Sequence, residues 1–141
     1  MAYAQATVLV EKPISEVFQF ILDGENNKLW RPTVMDIKRN SDEPVGVGAV
    51  FIQGMRIPNG MRINADYEII ECDEDRKISF KVLNGPYRAI GTFTFEQQEN
   101  GAKVTFSMSE ETGAEDHARD LHLQNVVNTL ANVKVHLESG K

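Results

Sequence analysis

The feature that most constrains the fold of this chain is a change in the spacing of its apolar residues. Between residues 34 and 109 apolar and polar residues alternate, which is the pattern of half-buried β-strands. The segments between the alternating stretches are short and rich in Gly, Pro, Asn and Asp, which favour tight turns. The middle of the chain therefore predicts an antiparallel meander with one apolar face. Its six strands are Val34–Asn40, Ala49–Met55, Met61–Cys72, Lys77–Leu83, Tyr87–Glu96 and Ala102–Ser109.

Helical spacing precedes this region. The β-branched segment Ala4–Val10 predicts a first strand. After Pro13 the apolar residues recur at the spacing of one helix face as far as Leu22, and Gly24 ends that helix. A further helical turn is predicted over Glu25–Trp30. Two short helices are thus expected between the first strand and the meander.

Helical spacing returns after Gly113. A helix from Ala114 to Leu137 would have about 24 residues and a length of roughly 36 Å. The complete order is strand, helix, short helix, six strands and long helix, in one domain spanning residues 1–141. This order predicts an α+β fold in which a curved antiparallel sheet of about seven strands lies around a long C-terminal helix.

The dimensions of these elements suggest a cavity. Seven strands make a sheet roughly 30 Å wide, whereas one helix is about 10–12 Å across with its side chains. The helix alone does not cover the apolar face, so either a ligand cavity remains or large side chains fill the space. Because an empty apolar void of 300 Å³ would cost about 7 kcal/mol, we expect such a cavity to serve a ligand.

Composition narrows the classes of partner. Fifteen Lys and Arg against 21 Asp and Glu give a net charge of −6, which argues against nucleic acid or an anionic membrane as the main partner. The single cysteine, Cys72, excludes an internal disulfide and suggests a reducing compartment. Neither a signal peptide nor an apolar segment of membrane-spanning length is recognisable. We therefore expect a cytoplasmic protein.

Four short motifs resemble those of a known superfamily. They are Ala6–Val10 leading into Lys12–Phe18, the tryptophan-proline segment Asn27–Pro32, Gly46–Gly48 before a strand, and Asn100–Phe106 near the end. Together they make nearly the whole chain resemble the START-related polyketide cyclase/dehydratase and lipid-transfer superfamily. This resemblance implies the helix-grip fold, in which the curved sheet and the long helix enclose a ligand cavity. It does not define the activity, because members include carriers, receptors and aromatase/cyclases.

Candidate pocket residues lie on the predicted inner face and on the facing side of the C-terminal helix. Tyr67 is the most obvious polar contact for a ligand, because its apolar ring ends in a hydroxyl. Alternation alone does not separate a cavity wall from a packed core. The candidates are Trp30, Tyr67, Phe80, Phe93, Phe106, Met108, Leu123 and Val127.

Polar candidates are fewer. Arg56, Arg88 and His122 are predicted at the cavity mouth, where they would meet a polar group of the ligand. His117 and His122 are about 140° apart around a helix, so they do not share a metal ion. No pair of inward-facing carboxylates and no nucleotide, hydrolase or metal motif is present. We therefore predict no catalytic residue, cofactor or metal.

Three functions remain open at the level of sequence. The first is binding of a small hydrophobic ligand, such as a lipid, a polyketide or an aromatic compound. The second is a cyclase/dehydratase-like enzyme that uses the same cavity without a metal. The third is a regulatory or interaction module with a filled core and no ligand. The expected partner is a small molecule and not nucleic acid or a membrane, while homodimer formation stays open.

Overall fold

The computed structural model describes residues 1–84, 88–111 and 117–139. The chain begins with strand β1 (Ala2–Val10), helix α1 (Ile14–Leu22), a 3-10 turn (Gly24–Asn26) and helix α2 (Asn27–Trp30). The remaining elements are β2 (Val34–Arg39), β3 (Val50–Arg56), β4 (Arg62–Asn64), β5 (Tyr67–Asp73), β6 (Lys77–Val82), β7 (Arg88–Gln98), β8 (Gly101–Glu111), α3 (His117–Asn128) and α4 (Ala131–Ser139).

All strands belong to one antiparallel sheet. Its order is β1-β8-β7-β6-β5-β3-β2, and β4 pairs with β3 outside this path. Strands adjacent in sequence from β5 to β8 are adjacent in the sheet, as short turns require. The first strand then pairs with the last, which places β1 at one edge. The predicted meander and its first strand are therefore present.

One predicted strand, Met61–Cys72, is divided into β4 and β5. The break lies at Asp66, whose carboxylate Oδ1 accepts a hydrogen bond from the Gln53 backbone N–H at 3.0 Å. Its own backbone N–H donates to Asn84 Oδ1 at 2.7 Å, so side chains replace the regular ladder there. As a result β3 changes partner along its length, from β5 to β4. Strand β4 thus lies outside the main path of the sheet, whereas β3 remains within it.

The C-terminal helix consists of two segments. Leu130 N–H donates to Val127 O at 3.0 Å and Asn132 N–H donates to Thr129 O at 2.9 Å, so the backbone tightens between α3 and α4. The Thr129 hydroxyl donates to Val126 O at 2.6 Å, a local bond that competes with regular helical hydrogen bonding. The predicted start at Ala114 lies outside the described residues.

Helices α3 and α4 cover the outer edge of β1. Side chains of the two helices bind three backbone groups of this strand that β8 does not use, which protects the edge from pairing with other chains. The bonds run from Tyr3 N–H to Asp120 Oδ1 (3.0 Å), from Gln124 Nε2 to Gln5 O (3.2 Å) and from Lys134 Nζ to Leu9 O (2.9 Å). The terminal helix therefore lies toward the β1 side of the sheet.

Aromatic rings fill the centre of the concave face. Phe93 and Phe106 stack with ring centroids 4.2 Å apart, and Trp30 meets both edge-on at 6.2 and 6.3 Å. Phe80 lies 6.1 Å from Phe93 and 5.0 Å from Tyr67. Such edge-on and stacked pairs add to the stabilisation that burial gives. The middle of the predicted cavity is therefore a packed aromatic core.

Candidate ligand-binding site

A cavity of about 440 Å³ lies between α3 and the β3–β4 hairpin. Its volume falls within the range of small-molecule sites, roughly 300–1,000 Å³. The cavity forms because α3 follows the β1 side of the sheet while β4 pairs with β3 outside the main path, on the opposite side. The segment that follows α2 completes it. The lining residues are Arg31, Thr33, Met55, Arg56, Ile57, Pro58, Ile63, His122, Asn125, Val126 and Thr129.

The walls of this cavity are largely apolar. Met55 and Ile57 come from β3 and the turn after it, Ile63 comes from β4, and Val126 comes from the facing side of α3. Ile63 is 43% exposed because it faces this cavity instead of the aromatic core. An apolar wall of this kind favours an apolar ligand.

Arg31 is the most buried cation of the site. Its guanidinium lies 5.9 Å from the centroid of the Trp30 ring, within the range of a cation–π contact. Burial lowers the pKa of Arg31 from its usual value, and Tyr67 partly offsets this effect. Arginine nevertheless stays charged near neutral pH. No described residue forms an ion pair with it.

Arg56 and His122, two of the residues expected at the mouth, also line this cavity. Arg56 is exposed and has no ion-pair partner in the described part of the chain. Burial lowers the pKa of His122, Arg119 lowers it further, and Glu110 opposes the shift. His122 is therefore a neutral imidazole near pH 7, able to donate one hydrogen bond and to accept another. The described lining includes no acidic residue.

A second, much smaller void of about 20 Å³ lies deeper in the fold. It is large enough for about one water molecule. Trp30, Tyr67, Phe80 and Phe93 line it, and Arg31 lines both this void and the larger cavity. Arg31 thus lies at the boundary between the aromatic core and the ligand-sized space.

The Tyr67 hydroxyl has a partner within the protein. It accepts a hydrogen bond from Asn27 Nδ2 at 3.1 Å, and the same Asn27 group lies 3.1 Å from Gln53 Oε1. Gln53 Nε2 in turn donates to Ala65 O at 3.2 Å. All three side chains are buried, so this network satisfies polar groups that water does not reach.

The remaining predicted pocket residues lie elsewhere. Phe106, Met108, Leu123 and Val127 are buried in the hydrophobic core and do not line the 440 Å³ cavity. Arg88 is 74% exposed at the start of β7, with Glu111 at 3.9 Å, and it too is absent from the lining. Of the three residues predicted at the mouth, Arg56 and His122 are brought together.

Sequence reasoning missed Arg31 as a site residue. It was noticed only as part of the tryptophan-proline segment, although a cation between Trp30 and Pro32, directly after a short helix, was the available signal. Asn125 and Thr129 also line the cavity, and nothing in the helical periodicity distinguishes them. Their position depends on how α3 lies against the sheet.

Other kinds of site find no support in the described chain. Residues 1–84, 88–111 and 117–139 contain no group of three or more His, Cys, Asp or Glu placed to hold a metal ion. Within the same ranges, no helix has the length and apolar character needed to cross a bilayer. Burial and the neighbouring Asp73 and Glu74 raise the pKa of Cys72, which disfavours the reactive thiolate.

The sheet, the terminal helix and the cavity beside them define a helix-grip protein, so the predicted fold class is confirmed. A sequence model of the Activator of Hsp90 ATPase homolog 1-like protein family matches residues 11–138. The chain belongs to this family, which lies within the superfamily that the sequence motifs resemble. No curated protein sequence matches it.

Structures of known proteins support the fold. A START superfamily protein from Mycobacterium smegmatis superposes with a TM-score of 0.82 over 100% of both chains at 12% identity. The di-domain ARO/CYC protein StfQ from the steffimycin biosynthetic pathway gives 0.78 at 13% identity, over 99% of this chain and 52% of that one. Ara h 8.0201 gives 0.76 at 15% identity over 98% of each chain. At these identities the similarity concerns the fold alone.

Proposed function

We propose that this protein binds a small hydrophobic molecule in the cavity between α3 and the β3–β4 hairpin. The observation that carries the proposal is the cavity itself, about 440 Å³ with Met55, Ile57, Ile63 and Val126 on its walls. Burial of an apolar ligand against such walls is worth about 25 cal/mol per Å² of apolar area removed from water. The chemical class remains a lipid, a polyketide or an aromatic compound.

The position of the cavity supports binding over a purely structural role. The aromatic core is already complete without it, since Phe93, Phe106 and Trp30 pack against one another. The cavity adds an apolar surface beside that core which packing of the core does not require, and such a surface can contact a ligand. Polar groups at its border, Arg31 and His122, could orient a ligand in it.

Filling the cavity tests the proposal. We expect Ile63→Trp to place an indole in the cavity and to abolish binding of hydrophobic compounds without unfolding the protein. Ile70→Trp is the matched control, because Ile70 is similarly exposed at 38% but lies on β5, away from the cavity. The measurements are thermal shift across a panel of hydrophobic compounds and native mass spectrometry of protein purified from its own host.

Two results would count against the proposal. One is equal ligand binding by Ile63→Trp and the unchanged protein, which would place the ligand elsewhere. The other is a bare-chain mass together with no thermal shift for any compound. That second result would favour the remaining alternative, an interaction module without a ligand, of the kind that the family's name suggests through the Hsp90 ATPase.

A cyclase/dehydratase-like enzyme is the second candidate, and His122 is the observation that favours it. A neutral imidazole at the border of an apolar cavity can accept a proton from a confined substrate. The ARO/CYC neighbours have the same fold, which makes this chemistry a candidate but does not assign it. His122→Asn should then abolish cyclisation of a poly-β-ketone substrate, as measured by mass spectrometry. Binding of the substrate should persist in this variant.

A further inference from the structure

The charge of the cavity is opposite to that of the protein. The chain has a net charge of −6, yet the described residues around the cavity include two arginines, Arg31 and Arg56, and no aspartate or glutamate. A cavity lined by one sign of charge attracts a ligand group of the other sign. The cavity is therefore electrostatically suited to an anion although the molecular surface as a whole is not.

Arg31 and Arg56 form no ion pair with another described residue, whereas several other arginines do. Arg62 binds Asp36 with two hydrogen bonds of 2.9 and 2.7 Å, and Arg119 binds Glu110 with bonds of 2.8 and 2.6 Å. Arg31 is half-buried and has no ion-pair partner among the described residues. An unpaired guanidinium that is partly removed from water is unfavourable until an anion binds it.

The backbone holds Arg31 in position. Its N–H donates to Asn27 O at 2.7 Å and its carbonyl accepts from Val34 N–H at 3.0 Å. The ring of Trp30 lies 5.9 Å from its guanidinium. The charged group is thus placed at the inner border of the cavity before any ligand arrives, which limits the entropy lost on binding.

Arg56 approaches the same space from the other side. Its backbone N–H donates to Thr33 O at 2.8 Å, which joins the end of β3 to the segment that carries Arg31. Arg56 is exposed, so it contributes mainly by attracting an anion to the cavity. Arg31 is then the residue that binds it inside.

We propose that the ligand of this cavity is an amphipathic carboxylate, whose apolar body lies against Met55, Ile57 and Ile63 and whose carboxylate is bound by Arg31. This inference rests on the proposed function and names the class of ligand. The planar guanidinium matches a carboxylate with two parallel hydrogen bonds, which a single ammonium group does not offer. A neutral molecule of the same shape contacts the apolar walls equally well but leaves Arg31 without an anionic partner.

The experiment compares two compounds that differ only in charge, 2-naphthoate and 2-naphthalenemethanol, by titration calorimetry. Octanoate and 1-octanol form a second pair. Their binding is measured by the fluorescence emission of Trp30, the single tryptophan of the chain. We expect each carboxylate to bind at least about tenfold more tightly than its alcohol. In Arg31→Gln this ratio should fall to within about twofold, while alcohol binding changes little.

Two variants make the result specific. Arg88→Gln removes an exposed arginine that does not line the cavity, and it should keep the full ratio. Arg31→Lys keeps the charge without the planar fork and should give an intermediate ratio, which also provides a test if Arg31→Gln does not fold.

The outcomes separate the two proposals. If carboxylate and alcohol bind equally and Ile63→Trp abolishes both, the inference about charge is overturned and the hydrophobic cavity stands. If the ratio persists in both Arg31→Gln and Arg31→Lys, the anion is bound elsewhere and the inference is again overturned. If neither member of either pair binds, the proposed ligand cavity fails together with this inference.

Discussion

Tyr67 shows how its surroundings decide what a side chain does. From sequence it was the clearest polar contact for a ligand, because a hydroxyl on an apolar face needs a partner. In the structure Asn27 supplies that partner, and Tyr67 lines the water-sized void instead of the larger cavity. Burial strongly raises the pKa of Tyr67, with Asn27 and Arg31 opposing the shift. Tyr67 therefore contributes mainly to the stability of the fold.

We expect Tyr67→Phe to lower the free energy of unfolding by about 1 kcal/mol, the usual contribution of one buried hydrogen bond. The loss stays small because Asn27 Nδ2 retains Gln53 Oε1 as an acceptor at 3.1 Å. Urea denaturation near neutral pH measures the difference. A loss several times larger would mean that the whole buried network depends on this hydroxyl.

The same variant tests the raised pKa of Tyr67. The folded protein keeps the phenolic proton at a pH where the unfolded chain loses it, near the ordinary value of 10.0. The stabilising contribution is therefore complete below that pH and is lost as the pH rises above it. The difference between the unchanged protein and Tyr67→Phe should stay constant up to about pH 9 and narrow as the pH rises above about 10. A constant difference would contradict the assignment.

At the scale of elements, the start of α3 is attached to the end of β8 by one ion pair. Arg119 donates to both carboxylate oxygens of Glu110, at 2.8 and 2.6 Å, and the Glu110 side chain is only 8% exposed. A two-bond pair in this setting fixes direction as well as distance. It helps to hold α3 along β1, and so it helps to set the width of the cavity on that side.

We expect Glu110→Gln to lower the free energy of unfolding by about 2 kcal/mol, because the buried carboxylate charge that binds Arg119 with two hydrogen bonds is removed. Glu111→Gln is the matched control on the next residue. Its side chain is 63% exposed and lies 3.9 Å from Arg88, so the change should stay within about 0.5 kcal/mol. Thermal denaturation of both variants provides the comparison. Equal losses of stability in the two variants would show that the Glu110–Arg119 pair contributes no more than the exposed Glu111–Arg88 pair.

At the scale of the whole molecule, the two sides of the sheet differ in how firmly they are held. Strands β7 and β8 have 11 residues each and pair along their full length. Strand β4 has three exposed residues and, within the described residues, pairs only with β3. Regions with little buried contact open at lower free energy than the core. The wall of the cavity formed by β3 and β4 is therefore its adaptable side.

Amide hydrogen exchange should reveal this difference. We expect the amides of β4 to exchange much faster than those of β7 and β8 in the free protein. A ligand in the cavity contacts both the hairpin and α3, so binding should slow exchange in those two elements and leave β7 and β8 nearly unchanged. Protection spread evenly over all strands would contradict a binding site at this location.

Much of the fold could be predicted from the sequence. Alternation defined the strands, and the spacing from Ile14 to Leu22 defined α1, because local periodicity directly reports which residues face a core. The division at Asp66 could not be predicted, since alternation continues through it. There the strand ends because its carboxylate binds the Gln53 backbone, a contact between residues 13 positions apart.

The site was less predictable than the fold. The sequence by itself determined a sheet that is wider than one helix covers. It also determined the large apolar side chains available to fill the uncovered space between sheet and helix. Only the tertiary structure decided which part of that space these side chains fill and which part stays open. The aromatic rings around Phe93 close the centre, and the space remains beside the β3–β4 hairpin, where Arg31 lies. Packing depends on how whole elements meet, and residue spacing along one chain does not contain that information.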